Sequence, residues 1–339
     1  MIEPKVPERG VSGDQPSVAV AEITDPAIAG EDYELADLDA LQLTSTVPFR
    51  ARRVVVRFEG GAVVYHSTNH RMRARTQVLG GRLGFATYGR RTKGTVNGLA
   101  IHPELLVAVG PGTEVVIVTD VGYESISLLV SPSEIHAHLR DRGREADFHS
   151  PKSAVNLRAD GASVRRLFDW GKKLVDTAAR QPALFDHRKD RRDAAQVEMI
   201  ETLLATLGTA RNIEPTRADH ARQSQSLVVK TAEDWALSHA HDRIYVTDLC
   251  RAAGVSERAL EYAFKEVMGL TPMAYLTRLR LHRTRQALLA GTHGSTTVSA
   301  VALDWGFWHF GDFSRAYKDC FGELPSDTLR RKPSAAEGR

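Results

Sequence analysis

Two kinds of hydrophobic pattern divide this 339-residue chain into a β-rich part and a helical part. Residues 49–129 contain short apolar runs such as RRVVVRFEGGAVVYHS and ELLVAVGPGTEVVIVTD, with glycine or proline pairs between them at 60–61, 80–81 and 111–112. Short alternating runs separated by turn residues are typical of hairpins. The pattern therefore predicts a small β barrel or sandwich.

The pattern changes to helical spacing after this part. Within residues 160–240, SVRRLFDWGKKLVDTAA and VEMIETLLATLGTA place apolar side chains at i, i+3, i+4 and i+7. This spacing forms the apolar stripe of an amphipathic helix. We expect these helices to pack on the β-rich part or to pair between two protomers.

The chain is predicted to have an α+β fold with three segments. Residues 1–30 are rich in Pro, Gly and acidic residues and have little periodicity, so we expect a disordered arm. Residues 31–240 are expected to form a β-rich, barrel-like domain with added helices. Residues 241–333 are expected to form an all-α domain, because their periodic segments have helical spacing.

Residues 246–280 and 298–331 repeat one pattern. VTDLCRAAGVSERALEYAFKEVMGLTPMAYLTRLR and VSAVALDWGFWHFGDFSRAYKDCFGELPSDTLRR share their order of apolar, glycine and basic positions, with one residue inserted in the second copy. The matched pairs are Val246 with Val298, Thr247 with Ser299, Leu249 with Val301, Gly254 with Gly306, Leu260 with Phe313, Phe264 with Tyr317, Lys265 with Lys318, Gly269 with Gly322 and Pro272 with Pro325. Two aligned copies in one chain are far more specific than a single match.

Each copy is predicted to be a helix, a glycine turn and a second helix, which is a helix-turn-helix unit. Thr247 or Ser299 is expected to cap the first helix, and Gly254 or Gly306 to supply the positive φ that ends it. Ser256 can cap the second helix of the first copy. The inward pairs of the second helices are then Leu260 with Phe264 and Phe313 with Tyr317.

A helix rich in arginine is predicted to join the copies. In TPMAYLTRLRLHRTRQALLA, Pro272 suits the first helical position, and the arginines are Arg278, Arg280, Arg283 and Arg285. A helix of about 18 residues is about 27 Å long. Such a rod can hold two recognition helices roughly 34 Å apart, the length of one DNA turn, so that both enter successive major grooves. A merely solvated arginine face is the alternative.

These residues resemble the AraC/XylS family of bacterial transcription regulators. The matching positions are Leu249, Gly254, Val255, Ser256, Arg258, Leu260, Phe264, Gly269 and Pro272 in the first half, the Arg-Leu-Arg-Leu of the joining helix, and Trp305, Gly306, Phe307, His309, Phe313, Tyr317, Phe321, Gly322, Leu324, Pro325 and Ser326 in the second half. The β-rich part followed by helices is also similar to the sensor half of that family.

The resemblance implies that outward residues of the two second helices meet the edges of DNA bases. Carried over by position, these are Arg258, Glu261 and Tyr262 in the first copy and Gly311, Asp312 and Arg315 in the second. Arginine can bond guanine bidentately and a carboxylate can accept from cytosine, whereas glycine allows close approach. The residues that suit phosphates are Lys265, Arg280, Arg283, His309 and Lys318.

The composition is that of an ordinary globular protein, with 42% hydrophobic and 26% charged residues. No apolar run is long enough to predict a membrane span, and the first residues lack the apolar core of a signal peptide. Cys250 and Cys320 are too few for a disulfide framework, so we expect reduced thiols in a cytoplasmic protein. The net charge of +3 arises within residues 241–339, which permits an anionic partner there.

No motif of the sequence predicts catalysis, a cofactor or a bound metal. Neither a phosphate-binding glycine loop nor a nucleophile elbow occurs. His136 and His138 resemble the start of a cupin ligand set, but residues two apart on a helix point to different faces. His66 and His70 lie in a segment that runs from strand to turn. We expect all four to be structural or surface histidines.

The expected function is sequence-specific regulation of transcription on double-stranded DNA. Activation through RNA polymerase is favoured because the family more often activates than represses. A small-molecule effector of unknown identity and a homodimer are expected, and a membrane partner is not. Arginines at 50, 52, 53, 57, 71, 73 and 75 fit either an anionic effector or a solvated strand face. The alternatives are a constitutive DNA-binding regulator and a metal-dependent barrel enzyme fused to a DNA-binding domain.

Overall fold

Strands dominate the first part of the chain, and helices dominate the rest. The structure is a computed structural model that describes residues 16–44, 48–145, 148–239, 242–291 and 296–331. In these ranges the strands are β1 (Val18–Ile23), β2 (Ala36–Gln42), β3 (Ala51–Arg57), β4 (Gly61–Thr68), β5 (Met72–Val78), β6 (Leu83–Tyr88), β7 (Gly94–Val96), β8 (Leu99–Ala100), β9 (Leu105–Val109), β10 (Glu114–Thr119), β11 (Tyr123–Val130), β12 (Val155–Arg158) and β13 (Arg211–Asn212). The helices are α1 (Pro132–Arg140), α2 (Gly161–Arg180), α3 (Ala183–Asp186), α4 (Lys189–Leu207), α5 (Arg217–Ser238), α6 (Val246–Ala253), α7 (Glu257–Met268), α8 (Pro272–Ala290), α9 (Val298–Asp304), α10 (Phe310–Phe321) and α11 (Pro325–Arg330).

The strands form two antiparallel sheets that face each other. The long sheet has the order β1-β3-β4-β11-β6-β9-β12-β13, and the short sheet has the order β2-β5-β10-β7-β8. Ala36 and Leu38 of the short sheet pack against Val55, Val64 and Leu129 of the long sheet. The predicted α+β fold, with a β-rich region before the helical domain, is confirmed. The strand pairings make two sheets and not one closed barrel.

Helix α2 covers the outer face of the long sheet, and α4 packs against α2. Val54, Val56 and Tyr65, which point away from the short sheet, share one buried cluster with apolar residues of both helices. In α2, a Cβ at Gly171 would lie 2.6 Å from Ile126 Cγ2, so this close approach of helix and sheet requires glycine. The predicted packing of these helices on the β-rich part is confirmed.

The prediction of a disordered arm over residues 1–30 is wrong for residues 16–30. Strand β1 pairs with β3 along its whole length. Asp25 then caps a short 3-10 helix, Pro26–Ile28, by accepting a hydrogen bond from Ala27 N at 3.0 Å. The sequence VAVAEI is a short apolar run, which is a weak signal among many Pro, Gly and acidic residues. Residues 1–15 lie outside the described residues.

The helix-turn-helix units are α6 with α7 and α9 with α10, and α8 joins them. Leu260 and Phe264 are buried in one cluster with Tyr275 of α8. Phe313 and Tyr317 are buried in a second cluster with Leu288, near the other end of α8. The predicted inward pairs are therefore confirmed, and each unit has its own core against the joining helix.

The predicted turns and one predicted cap are confirmed. Gly254 has φ +66° and Gly306 has φ +76°, which is the left-handed conformation that ends the first helix of each unit. The hydroxyl of Ser256 accepts a hydrogen bond from Ala259 N at 3.3 Å and so caps α7. Helix α8 begins at Pro272, as predicted.

The predicted caps of the first helices are wrong. Helix α6 follows Tyr245, and α9 follows Thr297, whose hydroxyl accepts from Ala300 N at 3.2 Å. Thr247 and Ser299 are already inside these helices. Both helices begin earlier because the residue before the apolar Val at their first position can itself take the extended conformation of a cap.

Both cysteines are free thiols, as predicted. Burial raises the pKa of Cys320 to about 11, which keeps this thiol protonated near neutral pH. Among the residues that the structure describes, no helix is long and apolar enough to cross a membrane.

Candidate nucleic-acid interface

Helix α7 presents a polar stripe to solvent, opposite its buried face. Arg258, Glu261, Tyr262 and Lys265 are all exposed, and their spacing of i, i+3, i+4 and i+7 puts them on one side of the helix. The Tyr262 ring is 61% exposed, although a tyrosine can bury a large apolar surface. The structure thus brings together the four predicted residues of the first copy, which we call the first stripe.

Helix α10 presents a corresponding second stripe. Gly311, Asp312, Arg315 and Lys318 are exposed along it, and His309 is the exposed residue immediately before the helix. Asp312 Oδ1 lies 3.7 Å from Arg315 Nη1, and both side chains are 77% exposed. No atom lies within 4 Å of the place where a Cβ would stand on Gly311, so the helix surface is open there.

Two aromatic residues extend the second stripe beyond the predicted set. Trp308 is 55% exposed and Phe310 is 43% exposed, just before and at the start of α10. Phe313 and Tyr317, by contrast, are buried. Trp308 falls outside the helical spacing of the inward pair. Phe310 has the same spacing as that pair, so the sequence carries no signal of its exposure. Exposed aromatics beside charged groups are typical of surfaces that meet a partner.

The chemistry of the two stripes suits duplex DNA. The guanidinium groups of Arg258 and Arg315 can donate to guanine O6 and N7, and the carboxylates of Glu261 and Asp312 can accept from cytosine N4. The ammonium groups of the lysines suit phosphate oxygens. Each stripe therefore combines groups that can donate to or accept from base edges with at least one cation that can pair with a phosphate.

Arg280 and Arg283 of α8 are placed differently from the other predicted residues. Arg280 Nη2 donates to the carbonyl oxygen of Asp242 at 2.8 Å, and burial lowers the pKa of this guanidinium. Arg283 Nη2 donates to Asp39 Oδ2 at 2.9 Å, and its Nη1 donates to Gln286 Oε1 at 2.8 Å. Both guanidinium groups are bonded within the protein, and their contact with phosphates stays a prediction.

Comparison with known proteins points to the same part of the chain. A helix-turn-helix domain family matches residues 249–331. The probable thc operon regulatory protein of Rhodococcus erythropolis is 38% identical over 106 residues, which are 31% of this chain and 32% of that protein. XylDLEGF operon transcriptional activator 2 of Pseudomonas putida is 41% identical over 86 residues, which are 25% of this chain and 55% of that protein. The C-terminal part of this chain therefore carries a helix-turn-helix domain that is similar to those of AraC/XylS regulators.

A solved structure carries the same resemblance. A probable AraC family transcriptional regulator from Rhodopseudomonas palustris is 38% identical, with a TM-score of 0.29, over 31% of this chain and 95% of that one. The matches span about a third of the length of the Rhodococcus protein and about half of the Pseudomonas protein. The β-rich half of this chain lies outside the matched helix-turn-helix domain.

A buried ion pair links the second copy to the N-terminal segment. Arg285 is 3% exposed, and its Nε lies 3.0 and 2.8 Å from the two carboxylate oxygens of Asp25. Arg285 Nη1 lies 2.9 Å from Glu323 Oε1. Burial alone would lower the pKa of Arg285, but the hydrogen bond and charge of Asp25 raise it above its ordinary value. A solvated or DNA-facing position for Arg285 is therefore wrong.

A second network links the short sheet to helices α5 and α8. Arg73 is fully buried, with Nη1 2.9 Å from Asp39 Oδ2 and Nη2 paired with Glu233. The hydroxyl of Tyr275 donates to the same Glu233. Arg75 pairs with Asp234 and Glu114. For Arg73 and Arg75, an anionic effector and a solvated strand face are both wrong, because acidic residues of the protein hold them.

Asp39 pairs with two arginines that come from different elements. Arg73 comes from β5 and Arg283 from α8, each at 2.9 Å from Asp39 Oδ2. Burial by itself would raise the pKa of Asp39, but the positive charges of Arg283 and Arg73 lower it below its ordinary value. This carboxylate is therefore ionised near neutral pH and binds the joining helix to the short sheet.

A cavity of about 170 Å³ lies between the two sheets. Its walls are mostly apolar and come from the inward residues of both sheets, with Ala40 and Ala74 in the short sheet and Ala86 and Leu129 in the long sheet. A small-molecule effector is expected from the sequence, but the sequence does not locate the space that would hold it. Small side chains at alternate positions of the strands are the sequence feature that indicates this cavity.

The histidines that invited a metal interpretation have other contacts. His138 Nε2 lies 2.7 Å from Glu201 Oε1, and His136 packs edge-on against Phe148 with ring centres 5.9 Å apart. His70 Nδ1 lies 2.8 Å from Asn69 Oδ1. Within the described ranges, no group of three or more His, Cys, Asp or Glu residues could hold a metal ion.

Proposed function

We propose that this protein is a sequence-specific transcription regulator of the AraC/XylS type, and specifically an activator that binds duplex DNA and recruits RNA polymerase. The observation that carries the proposal is the pair of exposed stripes on helices that one rod joins. Helix α8 has 19 residues and is therefore about 28 Å long. A rod of this length suits two recognition helices in successive major grooves on one face of DNA, roughly 34 Å apart.

The proposal assigns a role to each part of the chain. Residues 31–240 would hold a small-molecule effector and contribute to a homodimer, and residues 241–333 would bind DNA. The free thiols of Cys250 and Cys320 support action in the cytoplasm, where thiols stay reduced. No catalytic step, cofactor or metal forms part of the proposal.

Strand β2 supports control of DNA binding by a ligand. Leu38 and Ala40 line the cavity between the sheets. The intervening Asp39 pairs with Arg283, and Leu41 is buried with apolar residues of the first helix-turn-helix unit. Because side chains alternate between the faces of a strand, one strand meets both the cavity and the DNA-binding domain.

Strand β5 repeats this arrangement. Met72, Ala74 and Thr76 line the cavity, whereas Arg73 and Arg75 belong to the network with α5 and α8. A ligand that changes the spacing of the sheets would therefore move both strands against the joining helix. To switch transcription, the ligand must favour one arrangement of the two halves over the other by its difference in binding free energy.

At Arg283, a DNA phosphate and Asp39 would compete for the same guanidinium group. The resemblance predicts that it meets a phosphate, and in the structure it bonds to Asp39. One guanidinium group has a fixed number of donors, so full contact with a phosphate would loosen the bond to β2. A ligand that moves β2 would then change the free energy of DNA binding.

Selection of DNA sequences from a random duplex library by the purified protein tests the proposal. We expect the recovered sequences to share two half-sites about one helical turn, roughly 34 Å, apart. The double variant Arg258→Ala/Arg315→Ala should lose this selectivity. Arg251→Ala is the matched control, because its side chain is 79% exposed on α6, outside both stripes.

Transcription from a promoter that contains the selected sequence tests the activator part. Added protein should increase transcript formation by RNA polymerase, and the double variant should not. Recovery of random sequences by the wild-type protein would refute the proposed function. A selective protein that no small molecule affects would instead support the constitutive regulator.

A further inference from the structure

The size of the cavity between the sheets limits what it can hold. Cavities of roughly 150 Å³ with apolar walls bind benzene-sized molecules, and this one is about 170 Å³. The space exists because Ala40, Ala74, Ala86 and Ser127 stand where larger side chains would fill the gap of about 10 Å between packed sheets. A single ring with one small substituent matches this volume.

A row of polar side chains crosses one level of the cavity. On adjacent strands of the long sheet, His66 lies opposite Ser125 and Ser125 lies opposite Tyr88. All three residues line the cavity. His66 Nε2 and Tyr88 Oη are buried, and neither has a hydrogen-bond partner among the described residues. Buried polar atoms without partners lower stability, and a ligand that bonds to them recovers this loss.

The rest of the long-sheet wall becomes mostly apolar at the next levels. Two residues further along the strands, Ser127 lies between Val64 and Ala86, and two further still Leu129 lies between Ala62 and Gly84. The cavity therefore has a polar level and an apolar level. A ligand with a polar group at one end and a hydrocarbon ring at the other matches this division.

The cavity does not compensate a negative charge. Burial, together with the nearby charge of Arg53, lowers the pKa of His66 to about 3, so this ring is neutral near pH 7. Arg53 itself donates to Ala29 O at 2.6 Å and lies over the ring of Tyr33. Arg52, at the edge of the cavity, pairs with Glu22 at 3.0 Å. A carboxylate would lose its hydration here without gaining an unpaired cation among the described lining residues.

We infer that the cavity binds an uncharged single-ring compound that carries one hydroxyl or carbonyl group. The polar group lies at the level of His66 and Tyr88, and the ring lies between Ala86 and Ala74. A hydroxyl group can donate to one unpartnered atom and accept from the other. This inference rests on the proposed function and deepens it, because it names the chemical class of the effector.

Calorimetric titration of the full chain with phenol, toluene and benzoate tests the chemical class. The three compounds share the ring and differ in its substituent, which is a hydroxyl, a methyl or a carboxylate. We expect phenol to bind about five- to tenfold more tightly than toluene, since one or two hydrogen bonds separate them. Benzoate should bind at least tenfold more weakly than phenol, because its charge is desolvated without compensation.

Two variants locate the binding site. Tyr88→Phe keeps the ring and removes the hydroxyl, so phenol affinity should fall about fivefold while toluene affinity stays unchanged. Ala86→Leu fills the cavity and should abolish binding of both compounds. Ala100→Leu makes the same change at an exposed position of β8 and should leave binding unchanged. If Ala86→Leu does not fold, the titrations of Tyr88→Phe with phenol and with toluene still test whether the compounds bind in this cavity.

Tighter binding of benzoate than of phenol would overturn the inference, and so would unchanged phenol binding by folded Ala86→Leu. Failure of all three compounds to bind, with selective DNA binding intact in the same preparation, would overturn the chemical class alone. Loss of selective DNA binding by the wild-type protein would count against the proposed function and not against the cavity.

Discussion

The two helix-turn-helix copies have the same frame and different surfaces. Each second helix buries a matched pair of large side chains against α8, and this pair sets the rotation of the helix. The stripe that faces outward then differs, with Tyr262 and Glu261 in the first copy and Gly311 and Asp312 in the second. Duplication of apolar positions therefore specifies orientation, and the few outward polar positions specify what each copy can contact.

The copies differ more in their attachment to the β-sheets. Near the first copy, Tyr275 meets Glu233, which pairs with Arg73 of β5. Near the second copy, Arg285 pairs directly with Asp25, beside β1. The first copy is thus attached to strand β5, and the second to the segment between β1 and β2, by unrelated residues. A duplicated domain does not imply duplicated contacts with its neighbour.

The largest expected effect is on the attachment of the second copy. Arg285→Met removes the cation that pairs with the buried carboxylate of Asp25, whereas Glu323 keeps its pairing with Arg331. Removing one partner of a buried ion pair costs about 3–5 kcal/mol. Urea denaturation should show a fall of this size in the free energy of unfolding.

Arg330→Met is the matched control for this change. Its side chain is 67% exposed and pairs with Asp327, so the loss should be about 0–1 kcal/mol. Addition of Asp25→Asn to Arg285→Met should restore part of the stability, because one unpaired charge is gone. Equal losses for Arg285→Met and Arg330→Met would show that the buried pair does not hold the second copy.

A second prediction separates the base preferences of the two copies. Arg258→Ala and Arg315→Ala should each cost about 1–3 kcal/mol on the selected sequence and relax the preference at a different base pair. Binding to single-base variants of the selected sequence measures both effects. If either variant loses the same affinity on selected and random DNA, that arginine does not read a base.

A third prediction concerns the lysine that stands at the matched position of each copy. Lys265→Ala and Lys318→Ala should weaken binding almost equally on all sequences, and each should reduce the salt slope of log K by about one. Titrations at several salt concentrations check this. Lys189→Ala, at an exposed position at the start of α4, removes the same charge elsewhere and should leave the slope unchanged. A slope that Lys265→Ala or Lys318→Ala does not alter would remove that residue from the phosphate contacts.

The smallest expected effect concerns the glycine found only in the second stripe. Gly311→Ala should raise the free energy of unfolding by roughly 0.5–1 kcal/mol, because the site is open and alanine favours helix. Gly171→Ala is the contrasting change, since the added methyl group would meet Ile126 at 2.6 Å and should destabilise the protein. Thermal unfolding of the two variants should therefore shift in opposite directions.

Local patterns predicted the DNA-binding half well. The inward pairs, the left-handed glycines and the outward residues of α7 and α10 follow from helical periodicity and from residues close in sequence. The caps of α6 and α9 were displaced because several residues near a helix start can serve as caps. The short strand β1 escaped prediction because its partner β3 lies far away in sequence.

The sequence by itself determined the class of the fold, the two helix-turn-helix units and the residues that they turn outward, because these depend on periodicities that the chain carries locally. Only the tertiary structure decided the partners of Arg285, Arg283 and Arg73 and the position of the cavity. An ion pair between Asp25 and Arg285 leaves no periodic trace in the chain. The cavity likewise depends on small side chains of two sheets meeting across a gap, which no single strand reveals.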